Sequence, residues 1–592
     1  MTTPHAVNQH DCLTPHARAE SYRAFVLRAV PRLLGTLDRD PLSPTFGSFD
    51  REHWAWKFRD FPVNMLQTGL LPLAMLYTSR SNPYAGQERL LEWILGAIDA
   101  TLRRQHRNGA FDSVAPYSQD HGVTLALVAT LASALGTLGD SVPIELRERV
   151  LTTIARGGAF AERSDEDYAF ISNHQALFAL AWQRAGDALG SDAYRARSVA
   201  IVDAIIAHQS TDGWYAEYGG PDPGYESLGL FYLAMLLDET PLPRLAESAA
   251  RSVRFLAHCV HPDGSVGGAY GSRLTQLWYP GGFELLAGRD PLADRIASFV
   301  HARLERANVV TPDTVDTHNL PSLLYAYLVA ANACDELRES QEPVKLPCEG
   351  GPLLRHYDAS GITVAVTQHY HAVTNGRRGG VMTVCSRESE SLVFEDSGVA
   401  IEAQGRSWTS AAPAAVERVE FDAGASQAQS LVQPGAPRNA PITPAKFLIL
   451  RILCFTAFRS LTLGKALRRM IVARLVTGRD AGPFRCQRTV RFGSNTIDVE
   501  DRVTEHAAVP SGRPRLTRGY QPFHMGSARY FHSRDLQTIP IVAWTSGVSG
   551  SSAGGGQQAV HSAGVALRWS PAGTFEARPL EIAGRESAEA NR

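Results

Sequence analysis

The sequence predicts an α+β multidomain protein, an N-terminal (α/α)6-type toroid followed by an antiparallel β-sandwich. Three observations carry this. Six times between Phe58 and Ala331, about every fifty residues, a polar and aromatic loop runs into an apolar helix. Beyond the Pro- and Gly-rich break ESQEPVKLPCEGGPLL, from Glu339, the hydrophobic period shortens from the helical value to an alternation. The segments after the break are short, rich in β-branched residues and bounded by turn signals.

A chain of 592 residues is long for one hydrophobic core, so more than one domain is expected. Its 44% hydrophobic and 20% charged residues are ordinary for a globular protein. A formal net charge of −2 gives no global pull toward nucleic acid, and none is expected as a partner. Seven scattered cysteines without a CxxC pair argue for reduced thiols rather than a disulfide framework or a zinc-thiolate site. The first residues contain no apolar core of a secretory signal, and no uninterrupted apolar stretch reaches about 18 residues. The expectation is a cytoplasmic protein, with peripheral contact at the inner membrane face.

Residues 1–20 read as a flexible tail and 21–340 as the ring. Two segments with apolar residues at helical spacing, LLEWILGAIDATLRR from Leu90 and YRARSVAIVDAIIAHQ from Tyr194, are expected outer helices. Segments such as ALFALAW and LGLFYLAMLL are apolar nearly all round, which suits inner helices buried on both sides. The repeat length fits one helix pair, and six pairs closed in a ring start every inner helix at the same end. The unusual loop residues then converge on one cleft.

Residues 341–580 read as the sandwich, from ITVAVTQHYHAV (Ile362), GGVMTVCS (Gly379), SLVFEDSGVAIEAQG (Ser391) and RTVRFGSNTIDVEDRV (Arg488). One insertion, 445–479, breaks the strand pattern. It has eight Lys or Arg residues and no acid, and is long enough for a helix or helical hairpin. It either packs on the sandwich with its charges in water or lies on an anionic leaflet as a monotopic helix. Arg451 and Arg459 interrupt its apolar run, which argues against spanning. Residues 581–592 read as a charged tail.

Several chemistry-bearing residues sit at the junctions. Asn173 and His174 lie in FISNHQALFALAW, Tyr225 in GPDPGYESLGLFYLA, and Arg273 in YGSRLTQ. His369 and His371 lie in TQHYHAV, where alternation places them on one face of a strand. The order and spacing of these motifs, with the helical part before the strands, resemble the heparinase II/III-like and alginate-lyase group of polysaccharide lyases. The resemblance covers about 50–570 at the level of architecture. It implies a β-elimination at a uronic acid, with Asn173 stabilising the enolate-like charge, a junction tyrosine (Tyr225) and a sandwich histidine (His371, with His369 beside it) closing the cleft.

The residue types suit that chemistry. The C5 proton of a uronate is weakly acidic while the neighbouring carboxylate is negative, so neutral or cationic donors must stabilise the developing charge. Asn173 can donate an amide hydrogen, and Arg273 can grip a carboxylate with a bidentate fork. His174 suits proton abstraction because its ordinary pKa lies near neutrality. Tyr225 suits protonation of the leaving oxygen as a phenol. It serves as base only if cations lower its pKa. Tyr218, Gln119, Trp214 and His318 are further candidates for binding sugar, with His121 beside Gln119. No metal or cofactor is assigned. The paired histidines form an incomplete metal site.

Structural roles compete at every position. Asn173 can cap its helix, Tyr225 can line the ring with Tyr215 and Tyr218 as rivals, and Arg273 can pair with Glu284 or Asp263. Tryptophans pack in cores more often than they stack on sugars. A uronyl C5-epimerase shares the proton abstraction. A toroid-type glycoside hydrolase needs two carboxylates across the cleft, and Asp112, Asp120, Glu217, Asp222, Glu226 and Asp316 are available. A non-catalytic glycan-binding protein needs only the aromatics. The glycine-rich pieces GGPDPG and GSVGGAYGS follow no β-strand of a βαβ unit, so phosphate binding is not expected. The expected partner is a polysaccharide or a lipid-linked glycan, joined by an anionic membrane in the second of the two readings of 445–479.

Overall fold

The helices of the first half are set by prolines and aspartates at their starts. A computed structural model describes residues 14–580 except 81, 114, 167–169, 307–308, 337–343, 404, 438–442, 472–477, 506–514, 519–544, 550–557 and 571–573. In chain order the helical part comprises α1 (Pro15–Leu34), a short α2 (Arg51–Trp54), α3 (Leu70–Thr78), α4 (Glu88–Arg103), α5 (His121–Leu138) and α6 (Ile144–Ala161). It continues with α7 (Ser172–Leu189), α8 (Asp192–Ala207), α9 (Pro223–Glu239), α10 (Pro243–Ala257), α11 (Pro280–Leu286), α12 (Pro291–His301) and α13 (Leu320–Asp335). Proline opens α1, α9, α10, α11 and α12, where its missing N–H costs nothing. Asp120, Asp222 and Asp290 cap α5, α9 and α12.

The inner helices pack in sequence, α3 on α5, α5 on α7, α7 on α9, α9 on α11 and α11 on α13. The last returns to α3 and closes the ring. Helices α1, α4, α6, α8, α10 and α12 form the outer layer. Burial follows: α5 and α9 are covered on nearly all sides, whereas α4 and α10 bury one stripe. The stretch His121–Ser141 is long and apolar enough to cross a membrane by length and composition, yet 72% of its most apolar window is buried in the protein. Here that composition reflects an inner position.

The expected tail ends earlier than the sequence suggests, because α1 begins at Pro15. Arg18 donates from Nη2 to Glu284 Oε2 (3.0 Å) and Asp294 Oδ1 (2.9 Å), and the Tyr22 hydroxyl donates to Glu284 Oε1 (3.0 Å). These buried contacts fix α1 to α11 and α12 as the outer partner of α13. Residues 1–13 and the expected C-terminal tail, 581–592, lie outside the described residues.

Three antiparallel sheets follow the ring. The first is a meander of β1 (Leu353–Tyr357), β2 (Ile362–Val366), β3 (Tyr370–Asn375), β4 (Val381–Ser386) and β5 (Ser391–Asp396). The next strands are β6 (Val399–Ala403), β7 (Arg406–Thr409), β8 (Ala415–Asp422), β9 (Gln427–Gln433), β10 (Gly435–Pro437), β11 (Arg479–Ala481), β12 (Phe484–Phe492), β13 (Thr496–Glu505), β14 (Arg515–Arg518), β15 (Thr545–Ser549), β16 (Gln558–Trp569) and β17 (Phe575–Pro579). They form a sheet ordered β11-β10-β7-β6-β14 and a larger one ordered β15-β16-β13-β12-β9-β8, with β17 on β16.

The central strands of the first sheet, β2, β3 and β4, are buried on both faces. Ala365, Tyr370, Ala372 and Val384 pack against Val490, Ile497, Val499 and Leu567 of the large sheet. The alternate residues Val364, Val366, Val373 and Val381 join the core of the ring. Arg488 of β12 ties the sandwich together. Its Nε donates to Asp501 Oδ1 (2.7 Å), its Nη2 to Asp396 Oδ2 (3.1 Å), and its Nη1 to the Gly380 carbonyl (3.0 Å).

The basic insertion is a helical hairpin, α14 (Pro444–Phe455) and α15 (Leu461–Ile471). It docks on the ring: Gln119 Nε2 donates to the Phe458 carbonyl (2.9 Å), Arg459 Nη2 to the Tyr117 hydroxyl (3.1 Å), Arg451 pairs with Asp60, and Lys465 with Asp165.

Candidate active site

The site grows from the loops that lead into α7 and α9. Ser172 takes its backbone bond from N–H to the Ala216 carbonyl (3.0 Å), and Ile171 bridges Glu217, so the two loops lie side by side. Asn173 does not cap α7, whose N-cap is Ile171 and has no side-chain cap bond. Both its backbone N–H and its Nδ2 instead donate to Glu217, at 2.9 and 2.8 Å. Glu217 is 1% exposed. Burial pushes its carboxyl up to about 7, against the opposing pull of the two Asn173 bonds. The carboxyl fixes the rotamer of Asn173 and leaves the second amide hydrogen to point elsewhere.

His174 follows on α7. Its Nδ1 lies 2.9 Å from Glu166 Oε2 and 3.0 Å from Oε1, and its ring is 39% exposed. Burial lowers the imidazole pKa, but the Glu166 charge and hydrogen bond outweigh it and hold the pKa above the usual histidine value. A carboxylate accepts, so Nδ1 carries the proton, and Nε2 is the nitrogen left for other chemistry.

Asp222 builds the adjoining wall. Oδ1 caps α9 through the Tyr225 N–H (3.1 Å) and accepts from the Thr275 hydroxyl, while Oδ2 accepts from the Arg273 N–H (2.8 Å). Gly271 is required here, because a Cβ would lie 2.6 Å from Asp222 Oδ2. Tyr218 (φ 55°) and Leu274 (φ 60°) occupy the left-handed region on either side of this node. The result is a stacked cation: the Arg273 guanidinium carbon lies 4.2 Å from the Tyr218 ring centroid and 5.7 Å from that of Tyr225. Arg273 is 8% exposed, and its buried Nε has no hydrogen-bond partner. No carboxylate of the described residues pairs with it. Glu284 is taken by Arg18 and Tyr22, and Asp263 by Ser265. Burial raises the Tyr218 phenol above its usual value although Arg273 pulls it down, so the phenol stays protonated near neutral pH.

The structure therefore brings Asn173, His174, Tyr218, Tyr225 and Arg273 to one place and adds two carboxyls. Glu217 was visible only as one of six possible hydrolytic acids, and Glu166 carried no spacing signal beyond preceding His174 in the same loop. Residues 167–169 of that loop lie outside the described residues.

The remaining candidates are elsewhere. His371 is fully buried on β3, in register with Cys385, and its ring is 5.5 Å from that of His261 in the seam between ring and sandwich. Neither of its ring nitrogens makes a hydrogen bond of normal geometry, and burial drives its pKa far below the usual value. It is a neutral packing residue there and does not close a solvent-accessible cleft. His369 does not share its strand face, because β3 starts at Tyr370. His369 belongs to the preceding turn and contacts Gln368 (2.9 Å). Gln119 spends its amide on Phe458 and Asn108, so it fastens the hairpin instead of binding sugar. Trp214 is 8% exposed and packs in the ring core. His318 is half-exposed before α13, where its N–H bonds Asp316 (2.8 Å). His121 bonds Ser164 (2.9 Å), and burial lowers its pKa to about 4. Tyr215 is buried with its hydroxyl on Ser248 (2.7 Å).

His261, Asp263 and Cys385 bring potential ligand atoms within 4.8 Å of one another, all buried. His261 is already engaged by Ser265 (2.8 Å) and Tyr270 (3.0 Å), and Asp263 by Ser265.

No family model and no curated protein matches the chain. Among solved structures it is similar to a Paenibacillus xanthan lyase, at 10% identity over 84% of this chain and 46% of that one, with a TM-score of 0.49. A chondroitin AC lyase from Streptomyces coelicolor A3, in complex with chondroitin sulphate, gives 12% identity over 98% and 81% of the two chains, with a TM-score of 0.47. A heparan sulfate lyase from Pedobacter heparinus gives 11% over 98% and 83%, with a TM-score of 0.39. The chain thus spans less than half the length of the xanthan lyase and most of the other two. All three neighbours are polysaccharide lyases.

Proposed function

We propose that the protein is a polysaccharide lyase that cleaves a uronate-containing glycan by β-elimination. One observation carries the reading: Arg273 is a buried cation, stacked on two tyrosines, with no carboxylate partner among the described residues. A buried charge without a counter-ion is costly, and an incoming carboxylate would relieve it. Asn173, oriented by Glu217, supplies a neutral donor to the same group. Together they stabilise the second negative charge that grows as the C5 proton leaves.

His174 is the base. Glu166 holds its Nδ1–H, so Nε2 presents the lone pair, as in other carboxylate–histidine pairs. Tyr225 is the acid that protonates the leaving oxygen, and Tyr218 covers Arg273 from the other side. Proton removal and proton return then balance within the His–Tyr pair, and the glycosidic electrons leave with the C4 oxygen.

A hydrolase is disfavoured by where the carboxyls are committed. Glu217 serves Asn173, Asp222 holds α9 and the Arg273 loop, and buried Glu226 accepts from Ser252 (2.7 Å) and the Tyr215 N–H (3.3 Å). Asp120 caps α5, and Asp316 braces His318 and Asn319. No pair of them is left open across the site to activate water.

The test is a panel of uronate polymers, followed by the ultraviolet absorbance of the new C4–C5 double bond. Tyr225→Phe and His174→Ala are each expected to lower the rate by about 10²- to 10⁴-fold with unchanged melting temperature. Near-normal rates in both would remove the assignment.

A further inference from the structure

The basic hairpin shows water an apolar face that the described chain covers only in part. On α14, Phe447, Leu448, Ile449, Ile452 and Phe455 are 47–62% exposed, and only Cys454 is buried. Leu448 and Ile452, one helical turn apart, make one stripe, which ends where Phe455 meets the Tyr117 ring (centroids 5.7 Å apart). On α15, Leu463 (58%) and Met470 (57%) extend it. The loop that supplies Asp60 to Arg451 also displays Trp56 (60% exposed) and Phe58 (82%), with ring centroids 6.3 Å apart. A cluster of this size is uncommon on a protein that works alone in water.

The hairpin is nevertheless held firmly. Its other side is fastened by the Arg451–Asp60 and Lys465–Asp165 pairs, the Gln119 amide, and Arg459 lying 4.6 Å from the Tyr117 ring centroid. The apolar stripe is therefore displayed by a braced element.

Charge identifies the occupant. Residues 444–471 contain six Lys or Arg and no acid. Lys446 and Arg459 meet no acidic side chain among the described residues, and Lys57 lies between Trp56 and Phe58. A second copy of this chain would bring the same cations face to face. An anionic lipid surface accepts both parts, the apolar stripe below the headgroups and the basic rim among them.

We propose that the 444–471 hairpin, with Trp56 and Phe58, docks the protein on an anionic lipid bilayer. Lys465 grips Asp165, the neighbour of the Glu166 that holds His174. Docking would therefore set the rim of the candidate site beside the lipid surface. The proposal does not depend on the reaction assigned to that site.

The test is flotation of the full-length protein with phosphatidylcholine vesicles, with and without phosphatidylglycerol. The protein is expected to float with the anionic vesicles, remain below with the neutral ones, and be released by ~0.5 M salt. Leu448→Asp with Ile452→Asp should abolish flotation at an unchanged melting temperature. Lys446→Glu, a two-charge change at an exposed position, should lower partitioning by roughly tenfold or more. Equal flotation on neutral vesicles, or wild-type flotation in both variants, would overturn the proposal. So would a lipid-free dimer, seen by light scattering, that Leu448→Asp with Ile452→Asp dissociates.

Discussion

The chemistry of His174 is set by its neighbour Glu166. Glu166 holds the imidazole pKa above the usual histidine value, so at low pH the ring is a cation with no lone pair at Nε2. A base must be neutral, and the rate therefore rises with pH, through a midpoint above 6.5. Glu166→Gln keeps a hydrogen-bond acceptor for Nδ1 but removes the charge. Burial is then opposed only by the more weakly acting Glu217 and Asp120, and the midpoint of the kcat/KM profile is expected to fall relative to the unsubstituted protein. An unmoved midpoint would show that the limb belongs to another group. Arg273 illustrates the complementary case. Its charge is fixed, and what the fold controls is its partners, two aromatic faces and a backbone held by Asp222. The sequence singled out Arg273, Tyr225 and the Asn173–His174 pair because unusual side chains stood at repeated junctions. It missed Glu166, because an acid in an acidic loop is indistinguishable from a solvated one until the fold brings it to the ring nitrogen.

At the scale of elements, α7 and α9 carry the site and the sandwich braces it. Their starts are adjacent because Glu217, two turns of loop before α9, closes on the first turn of α7. The sandwich is locked by Arg488 between Asp396 and Asp501, all three 2% exposed at the side chain. Losing one acid leaves a buried cation half-compensated, which costs about 3–5 kcal/mol. Asp501→Ala is thus expected to lower the unfolding free energy by about that amount, read from denaturant titration. A change within about 0.5 kcal/mol would show that the charge is solvated. The histidines of TQHYHAV show where strand alternation misleads. Alternation in sequence placed both on one face, but the strand starts between them, and the buried one faces the seam between ring and sandwich. Gln119 and Trp214 mislead for a related reason: a polar or aromatic residue at a cleft-end junction can be consumed by packing from a segment far along the chain, here Phe458 and the ring core.

For the whole molecule, the ring and its order of helices were legible from the repeat, because a six-fold alternation of apolar and amphipathic helices has few other ways to bury itself. Packing of α13 on α3 closes it. The change of hydrophobic period marked the sandwich, though its division into three sheets was not readable, since strand pairing joins segments as distant as β6 and β14. The hairpin was visible as a charge anomaly, while its exposed apolar face required the fold. The ring loops before α7 and α9 bring the Arg273 cation beside Tyr218 and Tyr225, and there we propose that the C5 proton of a uronate leaves and the neighbouring glycosidic bond breaks. The most direct measurement is reaction of uronate polymers in deuterated water, reading ultraviolet absorbance and C5 labelling in the same sample. Absorbance from a C4–C5 double bond is expected to appear in step with chain cleavage. Cleavage without absorbance, or deuterium at C5 without cleavage, would contradict it.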